Sequence, residues 1–218
     1  MIYLFGNDLS LALTSLVAIV NPLGVTFVFR RLTISATPSE RASLSTRIAL
    51  YAMAVILGSY FFGSFVLGFF GITLPALRIA GGLVIALSGW QLLNRSEELS
   101  ASEVTNTASP VSMAFFPLTM PLTAGPGTIT VAIALGAARA ERSASGVLVA
   151  IAAFFLATLA VAAIVLLCYR NADRLARLVG QEGIRVVTSL SAFLLLCVGV
   201  QIITAGVIDV ARLATEQG

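Results

Sequence analysis

Six stretches of this chain carry no charged residue: residues 9–29, 48–70, 79–94, 104–138, 143–169 and 186–208. A helix that crosses a bilayer needs roughly 20 apolar residues, with about 17 as the lower bound. Only the stretch 79–94 falls short of that, and it reaches the interface once the long stem of Arg78 snorkels outward. Water is a poor solvent for such a chain. Charged residues make up 11% of its 218 positions, against about 25% in soluble domains, and mean hydropathy is +1.00. Inside lipid every backbone polar group must be satisfied within its own segment, so the expectation is an all-α polytopic membrane protein with six transmembrane helices. The first stretch starts beside Asp8 rather than a basic cluster and has no small-x-small cleavage site. It reads as a retained helix, not a signal peptide.

Arginine supplies all thirteen basic side chains, and their placement sets the orientation. With the N-terminus outside, the inner loops hold Arg30, Arg31, Arg41, Arg47, Arg95, Arg170, Arg174, Arg177 and Arg185. The outer segments hold Arg78, Arg139, Arg142 and Arg212. Nine against four satisfies the positive-inside rule with both termini outside. The net charge of +3 follows from this loop bias, and no basic stripe extends beyond it. The lipid bilayer is therefore an expected partner and nucleic acid is not.

Two of the apolar stretches are interrupted, the first by Asn21-Pro22-Leu23-Gly24 and the fourth by Gly125-Pro126-Gly127. Proline lacks an N–H and clashes with the preceding turn, while glycine loosens the backbone, so a helix kinks or unwinds there. Unwound backbone at bilayer depth survives only where protein buries it or a cavity hydrates it. Matched breaks, one in each half of a chain, point to a transporter's substrate site. A plainer reading is also open: Pro and Gly bend membrane helices for packing alone.

The halves share further landmarks. Leu77-Arg78-Ile79 returns as Ile184-Arg185-Val186, and Gly89-Trp90-Gln91-Leu92-Leu93 returns as Gly199-Val200-Gln201-Ile202-Ile203. The offsets are 107 (Arg78 to Arg185), 110 (Gln91 to Gln201) and 104 (Pro22 to Pro126). Similar offsets in the same order suggest one three-span unit, duplicated. Three is odd, so the second copy enters from the opposite face, giving two inverted three-helix repeats with helices 1 and 4 broken. The expected layout is a first repeat over residues 1–94, a polar cytoplasmic linker over 95–110 and a second repeat over 111–218.

The segments Asn21-Pro22-Leu23-Gly24, Leu77-Arg78-Ile79-Ala80-Gly81-Gly82 and the long run from Phe116-Pro117-Leu118-Thr119 through Gly125-Pro126-Gly127-Thr128-Ile129 resemble the hallmark motifs of the MarC/SnatA family. The resemblance continues to Gly199-Val200-Gln201 and so covers nearly the whole chain. It implies a multi-pass protein of the bacterial or archaeal inner membrane, with six spans. It also implies transport of small neutral amino acids such as glycine and alanine, by uptake or export.

Chemistry at the breaks fits such a cargo. The half-helices starting after Gly24 and after Gly127 expose N–H groups and a positive dipole end, which suit a carboxylate. Carbonyls around Val20 and Leu122 are placed for an ammonium group. The candidate substrate residues are Asn21, Pro22, Gly24 and Thr26 at the first break, and Thr123, Gly125, Pro126, Gly127 and Thr128 at the second. Arg78 and Arg185 are either gates or carboxylate partners, or else arginines snorkelling at helix ends. Gln91 and Gln201 are expected to hydrogen-bond between helices. Cys168 and Cys197 read as small packing residues.

Enzyme classes find little support. The chain has no His for a His/Cys metal site, no Lys for a Walker loop and no acid pair at mid-membrane. No metal, cofactor or enzymatic activity is expected. A gradient of sodium or protons, or simple exchange, is left to drive transport. Two other functions stay open at this stage: a non-transporting membrane scaffold, and a channel or efflux protein for other small solutes.

Overall fold

The structure is a computed structural model that describes residues 2–94, 114, 118–139 and 142–216. All regular secondary structure among the described residues is helical. The expected linker at 95–110 lies outside them, as does the start of the fourth apolar stretch. Among the described residues, five helical segments are long and apolar enough to cross a membrane: Tyr3–Leu32, Pro38–Phe69, Leu74–Asn94, Ala144–Arg170 and Ala172–Thr215. A shorter apolar helix, Pro126–Ala137, follows the break expected in the fourth stretch.

The first span is two helices, α1 (Ile2–Val20) and α2 (Pro22–Leu32), joined at Asn21. Pro22 has no N–H to offer the carbonyl of Ala18, so the ladder fails there. Asn21 takes up the turn with φ 47° and ψ 59°, a left-handed conformation that Asn tolerates better than most residues. Its side-chain oxygen then accepts the N–H of Gly24 at 3.3 Å and caps α2. Arg30 and Arg31 fill the last turn of α2, where positive charge complements the dipole.

Helix α3 (Pro38–Phe69) opens with a capping box, Thr37 and Glu40 satisfying each other's backbone N–H groups. Its 32 residues span about 48 Å at 1.5 Å per residue, so its ends project beyond a hydrocarbon layer of about 30 Å. Helix α4 (Leu74–Asn94) starts four residues before Arg78, which lengthens the short third stretch to 21 residues. The fourth stretch behaves differently. A π-helical segment, Leu118–Thr123, contains Met120 at φ −107° and ψ 124°, outside helical geometry. Helix α5 (Pro126–Ala137) then begins afresh.

Helix α6 (Ala144–Arg170) is continuous and capped by Ser143. Helix α7 (Ala172–Glu216) turns at Gly180, whose φ of 72° and ψ of 171° only glycine adopts readily.

Packing follows residue size. Helices α4 and α7 run antiparallel with their backbones in near contact. A Cβ added at Gly89 would lie 2.6 Å from the Leu196 nitrogen and 2.8 Å from the Ala192 oxygen. One added at Gly199 would lie 2.4 Å from the Ala86 nitrogen and 2.7 Å from the Gly82 oxygen. Where lipid matches Leu in polarity, close packing of this kind is what holds helices together. Helix α1 packs on α6, α5 on α3, α2 on α7 and α5 on α4, while α3 and α6 pack on each other. Two aromatic stacks fill the remaining core: Phe29 on Tyr169 at 4.4 Å, and Tyr60 on Phe154 at 3.9 Å. Large apolar side chains such as Phe62, Phe65 and Phe69 are exposed, as a lipid-facing surface requires.

Ion pairs tie the helix ends. Asp8 of α1 accepts from both terminal guanidinium nitrogens of Arg142, at 2.5 and 3.0 Å. Asp173 of α7 pairs with Arg30 of α2 and Arg41 of α3. Arg78 of α4 pairs with Asp209 of α7.

Candidate functional site

The two breaks meet at one cleft of about 330 Å³, at the small end of the roughly 300–1,000 Å³ typical of small-molecule sites. Asn21 contributes from the first break, and Thr123, Gly125, Pro126, Gly127 and Thr128 from the second. One wall is the face of α2 that carries Val25 and Val28; the other is the face of α4 with Val84, Ile85, Ser88, Gln91 and Leu92. Ile19 of α1 and Leu195 of α7 complete the lining. Along α2 and α4 alike, the lining advances from the breaks toward the helix ends at Leu32 and Asn94.

The second break is built to present backbone. Thr119 donates to the Ala114 oxygen at 2.6 Å, and Thr123 to the Leu118 oxygen at 2.8 Å, so both hydroxyls satisfy carbonyls of the irregular turn. The Thr123 oxygen also lies 2.8 Å from the phenol of Tyr169. Gly125 then caps α5 with no side-chain hydrogen bond, because glycine has none to give. Pro126 has no N–H, so the carbonyl of Leu122 receives none from it. The first N–H groups of α5, at Gly127 and Thr128, belong to residues that line the cleft. Close packing holds this end in place: a Cβ at Gly127 would lie 2.3 Å from Cγ1 of Ile85.

The first break differs from expectation. Its half-helix starts at Pro22 rather than after Gly24, and the Asn21 side chain already occupies the Gly24 N–H. Pro22, Gly24 and Thr26 are buried outside the cleft lining. Thr26 donates to the Pro22 oxygen at 2.5 Å, and Gly24 leaves room for Asn21 and for Ser191 of α7. These three residues shape the break. Asn21 is the one that faces the cleft.

Neither candidate arginine lies in the lining. Arg78 is held by Asp209, and Arg185 is 60% exposed beside Glu182 at 3.8 Å. Among the described residues the lining holds no charged side chain. Its polar groups are hydroxyls, amides and the backbone of α5. Ser88, Gln91 and Leu195 were not among the expected site residues. Ser88 and Gln91 sit three apart with Val84 on one helical face, a pattern present in sequence but without a partner until α2 is seen across the cleft.

Broken helices within a bundle whose outer surface is apolar define a polytopic helical membrane protein. Comparison with known proteins agrees on the class. The profile of the family described as MarC family integral membrane protein matches residues 7–211. The inner membrane protein MarC of Salmonella typhimurium strain LT2 is 35% identical over 211 residues, covering 94% of this chain and 96% of that one. The protein of the same name from Escherichia coli O6:H1 is 34% identical over the same length. No solved structure matches. The chain belongs to the MarC family of integral membrane proteins.

Proposed function

We propose that this protein is a secondary transporter of small neutral amino acids, working by alternating access between two inverted three-helix repeats in the inner membrane, with both termini outside. One observation carries the reading: residues of both breaks line a single cleft that has no charged side chain among the described residues. A zwitterion suits such a cleft. Its carboxylate meets the N–H groups and positive dipole of α5 at Gly127 and Thr128. Its ammonium group meets the Asn21 side-chain oxygen and the carbonyl of Leu122. The aliphatic walls of Val25, Ile85 and Leu195 favour a short apolar side chain over a charged one, which would be desolvated without a partner. A gradient of sodium or protons, or exchange, supplies the energy.

The packing supports the inverted repeat. Gly89 faces Ala192 and Leu196, while Gly199 faces Gly82 and Ala86. Adding 110 to each number of the set 82, 86 and 89 gives 192, 196 and 199. A pseudo-two-fold axis between α4 and α7 accounts for that identity. Two further contacts follow the same exchange of halves: α2 on α7 mirrors α5 on α4, and α2 on α6 mirrors α5 on α3.

The test is a screen of amino acids for thermal stabilisation of the purified protein. A ligand at 100 times its Kd adds about 2.7 kcal/mol to native-state stability. Glycine, alanine, serine and threonine are expected to raise the melting temperature, and lysine, glutamate and tryptophan to leave it unchanged. Stabilisation by none of the twenty amino acids would transfer the cleft to another solute.

A further inference from the structure

The cleft is lopsided. It uses α4 and α2 from the first repeat along their full lining faces, but only Leu195 from α7. On the pseudo-two-fold axis, Ile85 of α4 maps onto Leu195 of α7, and both already line the cleft. The same offset of 110 carries Ser88, Gln91 and Leu92 onto Val198, Gln201 and Ile202, and the offset of 104 carries Val25 onto Ile129 of α5.

Gln201 has an independent oddity. It is exposed, and it makes no hydrogen bond among the described residues. At 1.5 Å per residue it lies about 12 Å along α7 from Asp209 and about 24 Å from Arg185. That depth is hydrocarbon, where an unpartnered amide is costly. A packing role between helices, the sequence expectation for this residue, would have supplied a partner. Gln91, its mate, is likewise without a hydrogen bond, yet it lines the cleft.

Resting on the transport reading above, we propose that Gln201 is the counterpart of Gln91 in the second access state. A cleft between α5 and α7, opening to the outer face, hydrates Gln201 there and brings it to the substrate, as the present cleft does for Gln91 on the inner side. Each glutamine thus serves one face of the membrane. Its amide accepts from the ammonium group or donates to the carboxylate of an amino acid entering from that side.

The experiment uses the full-length protein in right-side-out vesicles, with Cys168 and Cys197 replaced by serine. Single cysteines are placed by Gln201→Cys, Val198→Cys, Gln91→Cys and, as a lipid-facing control, Val200→Cys. A membrane-impermeant maleimide is added outside, with and without alanine; for Gln91→Cys it is also trapped inside. The Gln201 and Val198 variants are expected to react on the order of ten-fold faster than the Val200 variant, because only a hydrated thiol forms the reactive thiolate. Alanine is expected to slow both, and to slow inside labelling of the Gln91 variant. Equal rates at positions 198, 200 and 201, or rates indifferent to alanine while the Gln91 variant is protected, would overturn the second cleft and leave the transport reading standing. Loss of alanine protection at Gln91 as well would remove both. The Val198 variant decides the matter if Gln201→Cys does not reach the membrane.

Discussion

The hydroxyl of Thr123 and the phenol of Tyr169 lie 2.8 Å apart, and the ring of Tyr169 is stacked on Phe29. One fully buried side chain on α6 therefore holds the unwound end of the second break and the far end of α2 together. Because Thr123 donates to the Leu118 oxygen, Tyr169 is the donor to Thr123.

Tyr169→Phe keeps the stack and removes only this donor. The expected cost is about 0.5–1.5 kcal/mol of stability, the net worth of one hydrogen bond. Tyr169→Ala also empties a core position and is expected to cost about 3–5 kcal/mol. Thermal unfolding of the purified variants checks both. A Phe variant as unstable as the Ala variant would show that the hydroxyl, not the ring, holds the breaks.

Helix approach gives a sharper contrast among glycines. Gly199→Ala places a methyl 2.4 Å from the Ala86 backbone nitrogen, which cannot move aside as a side chain can. Overpacking of this sort costs about 1–3 kcal/mol or more. Gly58→Ala and Gly68→Ala meet nothing within 4 Å and are expected to be neutral, or stabilising by up to about 1 kcal/mol through helix propensity. Melting temperatures of the three variants test the packing directly.

At the cleft, Gly127→Ala sets a methyl 2.3 Å from Cγ1 of Ile85. It is expected to abolish amino-acid binding while leaving the protein in the membrane. Adding Ile85→Ala opens the space again, so the double variant is expected to recover part of the affinity lost in the single one. Contacting residues couple in this way by about 0.5–3 kcal/mol. Additive losses would place Gly127 and Ile85 in separate roles.

Topology has its own test. Cysteines introduced at Gly71, in the α3–α4 turn, are expected to react with an impermeant thiol reagent outside intact cells. Those at Asn171, in the α6–α7 turn, are expected to stay unlabelled. Labelling at Asn171 would reverse the orientation drawn from the arginines.

Much of this was legible in the sequence because it depends on local chemistry. Pro22 and Pro126 each withhold one N–H wherever they occur in a helix, so the breaks could be located from the chain alone. The break expected in the fourth stretch falls at Pro126, where α5 begins, but the π-helical turn before it was not foreseen. Pro121 and Pro126 flank Gly125 within six residues, and the described part becomes a π-helical turn followed by a twelve-residue helix. Tertiary partners were out of reach. Nothing near Arg78 in sequence announces Asp209, and nothing near Gly58, Gly63 and Gly68 shows that Gly63 alone of these three faces another helix. Ser88 and Gln91 became site candidates only when folding set α4 opposite α2.

The most direct measurement is uptake of radiolabelled alanine by proteoliposomes containing the purified protein, with unlabelled amino acids as competitors. Accumulation above protein-free liposomes is expected, suppressed by glycine, serine and threonine and unaffected by lysine or glutamate. Alanine uptake no greater than in empty liposomes, under sodium and proton gradients of either direction and with internal alanine for exchange, would contradict transport of small neutral amino acids through this cleft.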